Sequence, residues 1–259
     1  MKVLSFGAGV QTVTLATISC LSDFERPDFA IFADTGWEST ATYAYLDTFT
    51  EWARIRGMEI VRSARGNIRR DALDPSHRFA SMPLFTSMSG ETGMLRRQCT
   101  REYKIDVVQK IIRARAGLQP GQHWKGEPCE LWLGISLDEV VRMKENRDKW
   151  IVNRWPLVEK RMTRGSCIEY LKAHGLPVPP KSACIGCPYH DDGAWLDMKK
   201  NRQKEFEDVC DFDDKIRRTQ PGVKSPVFLH RSLAPLRDAD LGQNQGDLFA
   251  EECEGHCGL

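Results

Sequence analysis

The chain has 259 residues, 41% of them hydrophobic, enough to bury a sizeable core as one elaborated domain or as a domain with an appendage. Its 37 basic and 36 acidic side chains nearly cancel to a formal charge of +1, which excludes a strong bulk attraction to nucleic acid and leaves only local patches for such contacts. No run approaches the roughly 18 to 20 apolar residues of a membrane-spanning helix, and nine cysteines, an odd number, argue against an extracellular disulfide framework.

Gln11, Thr12, Thr14 and Thr17 interrupt the only stretch that resembles a secretory signal, so a soluble, cytoplasmic protein is expected. Its cysteines then await reduced-thiol, metal or redox roles.

In chain order, Lys2 to Phe6 reads as a buried strand, Gly7-Ala8-Gly9 as a turn, and Val10 to Leu21 as a helix packed back on the sheet. A second strand runs from Asp28 to Ala33 and ends at Asp34-Thr35-Gly36. Ser39 is placed to cap a helix reaching Arg56, with Tyr43, Leu46, Phe49 and Trp52 at helical spacing; Gly57 stops it and Met58 to Ser63 supplies a third strand. This alternation predicts an α/β fold, a parallel twisted sheet with helices on both faces and ligands bound beyond the carboxyl ends of its strands.

From Gly66 to Leu95 the pattern dissolves into a stretch long enough for a functional loop or lid. Periodicity returns at Thr100 to Ala116, and Glu130 to Ile135 reads as another buried strand ending at Ser136-Leu137-Asp138-Glu139. Beyond Trp150 the composition shifts to Pro, Cys, Lys and Arg, with one long helix expected over Asp192 to Arg218. The expected organisation is a nucleotide-binding α/β domain over 1–150, a cysteine-bearing helical region over 151–240, and a mobile tail over 241–259. No internal repeat is apparent.

Glycines between a strand and a helix let the backbone approach an anion, while the free amides and dipole of the helix N-terminus face it. Ser5 and Thr12 can add hydroxyls. The loop lacks the Gly-Lys-Ser/Thr ending of the Walker type and is not a full Gly-x-Gly-x-x-Gly fingerprint. Cys184-Ile185-Gly186-Cys187 is a Cys-x-x-Cys knuckle, which alone leaves zinc, an iron–sulfur cluster and a redox dithiol open. Cys99 and Cys167, each at a helix start near arginines, complete a candidate four-thiolate set with Cys184 and Cys187, suited to a [4Fe-4S] cluster or tetrahedral zinc. Cys20, Cys129 and Cys210 read as buried inert thiols, and His174 and His190 as capping or packing residues.

Ser5-Phe6-Gly7-Ala8-Gly9-Val10-Gln11-Thr12 is similar to the Ser-x-Gly-Gly-x-Asp-Ser loop of the phosphoadenosine-phosphosulfate (PAPS) reductase branch of the adenine nucleotide alpha-hydrolase, or ATP pyrophosphatase, superfamily. Phe32-Ala33-Asp34-Thr35-Gly36 with Glu38 resembles the Asp-Thr-Gly motif of that family, and Leu133-Gly134-Ile135-Ser136 resembles its Gly-Ile-Arg strand end, with Ser136 in place of the Arg. The stretch from Trp155 to His190 resembles phage and prophage members.

The resemblance implies nucleotide-binding roles for Ser5, Gly7, Gly9, Gln11, Thr12, Asp34 and Gly134. Arg96, Arg97, Arg101, Lys104 and Arg142 are then expected to neutralise phosphates or sulfate. Cys257-Gly258-Leu259 is similar to the core of the family's catalytic Glu-Cys-Gly-Leu-His tail, which implies a catalytic Cys257 with Cys253 as resolving thiol. Because cluster-bearing enzymes occur in the family and the knuckle ends in Cys-Pro, iron–sulfur ligation is expected ahead of zinc. Gln11 replaces the Asp of the ATP-using branch, and an amide anchors a hard cation less well than a carboxylate.

The leading expectation is a PAPS-reductase-like enzyme using a thioredoxin-like dithiol donor, with a homodimer possible. ATP-dependent thiolation of a nucleobase is the alternative, with Arg62, Arg65, Arg69 and Arg70 as the one basic run for nucleic acid. A non-catalytic nucleotide- or metal-binding module is a third.

Overall fold

The computed structural model describes residues 1–22, 24–77, 81–88, 90–217, 223 and 225–242. Strand β1 (Lys2–Ser5) leads into helix α1 (Val10–Leu21), then β2 (Phe29–Asp34), α2 (Thr40–Ile55) and β3 (Ile60–Ala64). After α3 (Ile68–Leu73) and a hairpin of β4 (Phe85–Met88) and β5 (Glu91–Met94), a π-helical turn at Thr100–Ile105 opens α4 (Asp106–Arg115). Strand β6 (Cys129–Trp132), a short 3-10 segment (Leu137–Arg142), β7 (Ile151–Arg154), α5 (Pro156–Glu159) and α6 (Arg164–Ala173) follow. Helices α7 (Asp192–Asn201) and α8 (Gln203–Ile216) and strand β8 (Val227–Phe228) close the described chain.

Five parallel strands form one sheet in the order β3-β2-β1-β6-β7. Successive strand side chains point to opposite faces. Val3, Ile31 and Leu131 therefore pack with Val108 and Ile112 of α4, whereas Leu4, Phe32 and Trp132 pack with α1, α2 and α6. The chain moves outward from β1 through β2 to β3 and then returns to β6 on the other side of β1. The carboxyl ends at this reversal frame the crevice where such sheets bind ligands.

Helix α1 is buried from Val10 to Ser19, held between the sheet and α6. Its polar side chains are satisfied internally: Thr17 and Ser19 donate to the carbonyls of Val13 and Leu15, and Thr14 to that of Cys167. Ser39 caps α2 as expected, accepting from the Thr42 amide at 3.0 Å, and Gly57 ends the helix with φ +81°.

Three expectations change. The stretch from Gly66 to Leu95 contains α3 and the β4–β5 hairpin, and β4 pairs with β8 in a second, antiparallel sheet. The single helix expected over Asp192 to Arg218 is two, broken at Arg202, whose φ of −136° and ψ of 51° leave the helical region. The boundary expected at 150 falls just before β7, which is the fifth strand of the same sheet, and α6 packs beneath it. A separate core of Trp37, Tyr103, Trp195, Phe206 and Phe212 joins α3, α7, α8 and the small sheet. Among the described residues no helix is long and apolar enough to cross a membrane.

Candidate functional site

At the carboxyl ends of β1 and β2 lies a cleft of about 300 Å³, a volume that includes open solvent. Ser5, Phe6 and Gly7 from the first strand and its loop form its floor, beside Phe32 and Ala33 of β2. Glu38, Lys104 and Ser182 complete the lining, brought in from the start of α2, the π-helical turn and the segment before the cysteine knuckle. Lys104 is thus the one cation of the expected phosphate-binding set that faces this cleft.

The loop is shaped by close contacts. Ala8 adopts φ +57°, unusual for a residue with a Cβ, and the Gly7 amide donates to Thr12 Oγ1 at 3.2 Å while that hydroxyl donates to the Gly9 carbonyl. Gly134, past the end of β6, faces Thr12 so tightly that a Cβ there would lie 2.5 Å from Thr12 Cγ2. A side chain at 134 would push the first turn of α1 out of place.

The knuckle is fastened onto the loop and onto β2. Ser182 donates its hydroxyl to the Gly7 carbonyl. The Ile185 amide donates to the Trp37 carbonyl at 2.9 Å, and Glu38 and Cys184 form an isolated antiparallel bridge. The Cys184 thiol meets Thr35 Oγ1 at 3.1 Å and Glu38 Oε1 at 3.6 Å. Burial pushes the Cys184 thiol well up, and the Glu38 carboxylate adds to the rise against Lys104. Burial likewise raises Glu38, opposed by Lys104 and by the hydrogen bonds from Thr35 and Cys184. Burial thus favours the neutral thiol, while Lys104 and the two donated hydrogen bonds favour the carboxylate form of Glu38. His190 Nε2 donates to the Cys184 carbonyl at 3.0 Å from behind, and the ring packs edge-on to Trp195, the packing role expected for it.

The other expected residues take different places. Gln11 is fully buried, its amide nitrogen donating to Glu139 Oε2 at 3.2 Å and its oxygen accepting from Arg164 Nη1 at 3.1 Å. Arg142 pairs with the same Glu139 at 2.6 Å. Gln11 thus links the loop to the β6 end instead of lining the cleft. The Asp34 carboxylate is held by the Gly36 amide, Tyr43 Oη and Arg62, which rigidifies the turn after β2. Arg101 pairs with Asp106 at 2.7 Å, Arg97 lies over the Tyr189 ring at 5.4 Å, and Arg96 is exposed. The basic run is matched by acids: Arg62 to Asp34, Arg65 to Glu102, Arg69 to Asp208 and Asp211, and Arg70 to Asp71.

The four expected cysteine ligands do not come together. Cys99 and Cys184 pack against the core of α7 and α8, whereas Cys167 is wholly buried in the layer between the large sheet and α6. It packs in that layer with Val13, Leu157 and Leu171, on the helix that Thr163 caps. The Cys184 thiol sits between a hydroxyl and a carboxyl group, a setting for a neutral thiol. Among the described residues no three of His, Cys, Asp or Glu form a metal-holding group. Cys253 and Cys257 lie outside the described residues.

Ser182 and Arg164 were not singled out by sequence. The signal available for Ser182 was its place two residues before the knuckle; Arg164 was visible only as an arginine near Cys167, since its partner Gln11 is 153 residues away. No family model matches the chain, and no curated protein does.

Proposed function

We propose that the chain is an adenine-nucleotide-binding enzyme of PAPS-reductase type that performs cysteine chemistry at sulfur. The observation supporting it is the Ser182–Gly7 hydrogen bond, which fastens the cysteine knuckle onto the phosphate loop so that a nucleotide pocket and a thiol adjoin. The loop offers backbone amides at the start of α1, and Lys104 supplies the cation an anionic oxygen needs. With Gln11 where the resembled loop has Asp, the loop offers no carboxylate for magnesium, in keeping with a substrate whose leaving group departs without loop-bound metal.

In this reading a thiolate of the tail, Cys257, attacks the sulfate sulfur of PAPS. A sulfur–sulfur bond forms, the sulfur–oxygen bond to the phosphate breaks, and adenosine bisphosphate leaves. A thioredoxin-like dithiol then reduces the protein thiosulfonate and releases sulfite, becoming a disulfide. Incubating the purified protein with PAPS and reduced thioredoxin, and separately with ATP, tests it. Sulfite from PAPS supports the reading; pyrophosphate from ATP with no sulfite replaces it by the sulfur-transfer alternative.

A further inference from the structure

Glu38 presents an acceptor that none of the described residues uses. Its Oε1 accepts from Thr35 Oγ1 at 2.9 Å and from the Cys184 thiol at 3.6 Å, while Oε2 is buried with no hydrogen-bond partner. The residue is only 6% exposed, and it lines the cleft. Buried carboxyl oxygens are ordinarily bonded, because an orphan forfeits its hydration without return. Because Glu38 is among the residues that line the cleft, a ligand held there can supply the missing donor.

Lys104 lines the same cleft and acts electrostatically on Glu38. A ligand that answers both groups combines an anionic oxygen with a hydrogen-bond donor a short distance along the same molecule. A nucleotide has this arrangement, with phosphate at one end and sugar hydroxyls and an exocyclic amine at the other. We infer that Glu38 selects the nucleoside part of the ligand, its Oε2 accepting from a sugar hydroxyl or an exocyclic amine while Lys104 takes a phosphate oxygen. This deepens the nucleotide reading above and rests on it.

Calorimetric titration of the full chain decides, with ATP, dideoxy-ATP lacking the sugar hydroxyls, inosine triphosphate lacking the amine, and inorganic tripolyphosphate. Wild-type protein should lose about tenfold in affinity, about 1.4 kcal/mol, for whichever of the two analogues lacks the group that meets Glu38. In Glu38→Gln, Thr35 and Cys184 still donate to the side-chain oxygen, so an NH₂ group faces the cleft where an acceptor stood. That variant should lose about tenfold for ATP, no longer distinguish the analogue, and keep its tripolyphosphate affinity. Lys104→Met should weaken tripolyphosphate and ATP alike.

The inference is overturned if wild-type binds ATP and both analogues equally, or if Glu38→Gln binds ATP as wild-type does or loses ATP and tripolyphosphate to the same degree. Should Glu38→Gln fail to fold by circular dichroism, the wild-type analogue series decides alone. Wild-type protein that binds neither ATP nor PAPS overturns the nucleotide reading itself and this inference with it, a result distinct from binding without selectivity.

Discussion

Gly186 lies so close to the Trp37 indole that a Cβ at position 186 would stand 2.2 Å from the ring atoms Cη2 and Cζ3. The ring has nowhere to go. It is 5% exposed, tilts against Phe212 at a centroid distance of 4.7 Å, and donates through Nε1 to Asp208 at 2.7 Å. Gly186→Ala should therefore destabilise the protein by about 1–3 kcal/mol, the usual cost of overpacking. Urea denaturation followed by tryptophan fluorescence measures this, and an unchanged midpoint would show that the knuckle is not seated on Trp37.

Gly134 sets the other wall. Gly134→Ala should lower stability by about 1–3 kcal/mol and weaken nucleotide binding, because the added methyl meets Thr12 at the start of α1. Thr12→Ser removes the methyl while keeping the hydroxyl that accepts from the Gly7 amide. In the double variant part of the loss should return, by non-additivity of neighbouring sites. Thermal melts of the two single variants and the pair provide the comparison.

Gln11→Asp would restore the carboxylate of the resembled loop, yet here it would face Glu139. The shorter acid also gives up the amide's donation to that residue. We expect a loss of about 1–3 kcal/mol and no gain in magnesium-dependent ATP cleavage. Stabilisation, or new pyrophosphate release, would contradict the linking role assigned to Gln11.

Burial depresses His190 from 6.5 to about 4, with Lys181 and Arg202 adding to the effect and the bond to the Cys184 carbonyl opposing it. Between those values the unfolded chain binds a proton that the folded protein does not. Its contribution is thus complete above about pH 6.5 and is lost as the pH falls toward 4, by about 3 kcal/mol in all. His190→Gln, which retains a donor for the carbonyl, should flatten this part of the stability–pH curve. A curve of the same slope in the variant would assign the acid sensitivity elsewhere.

Thiol accessibility should separate the cysteines. Cys167 and Cys129 are fully buried and Cys210 nearly so, and burial raises Cys129 and Cys210 to about 11. In native protein these three should resist iodoacetamide while Cys99 and Cys187, both partly exposed, react. Mass spectrometry after a timed pulse reads the pattern; rapid labelling of Cys167 would place it outside the α1–α6 layer.

The elements legible in the sequence are those with local causes. Apolar runs gave β1, β2 and β6, the Ser39 cap and Gly57 stop bounded α2, and the glycine turn after β1 marked the cleft. What was illegible depends on distant partners. The β4–β5 hairpin is stabilised by β8, which follows it by about 140 residues, so nothing near Phe85 announces it. The break at Arg202 involves neither Gly nor Pro, and the apolar spacing runs on through Phe206 and Val209. Counting cysteines could not show that Cys167 faces α1, because a thiol fits a helix interface as well as a metal. Glu38 was visible as part of a motif, but its orphan oxygen exists only once Thr35 and Cys184 have taken the other one.

The bond from Ser182 to Gly7 spans 175 residues of chain. Floor and wall of the cleft are therefore made far apart in synthesis, and the loop amides stay open to water long after the strand that carries them is complete. Closure of this kind is loop-entropy-limited and comes late in folding. The protein becomes competent to hold a ligand only when its cysteine-knuckle segment has found its first turn.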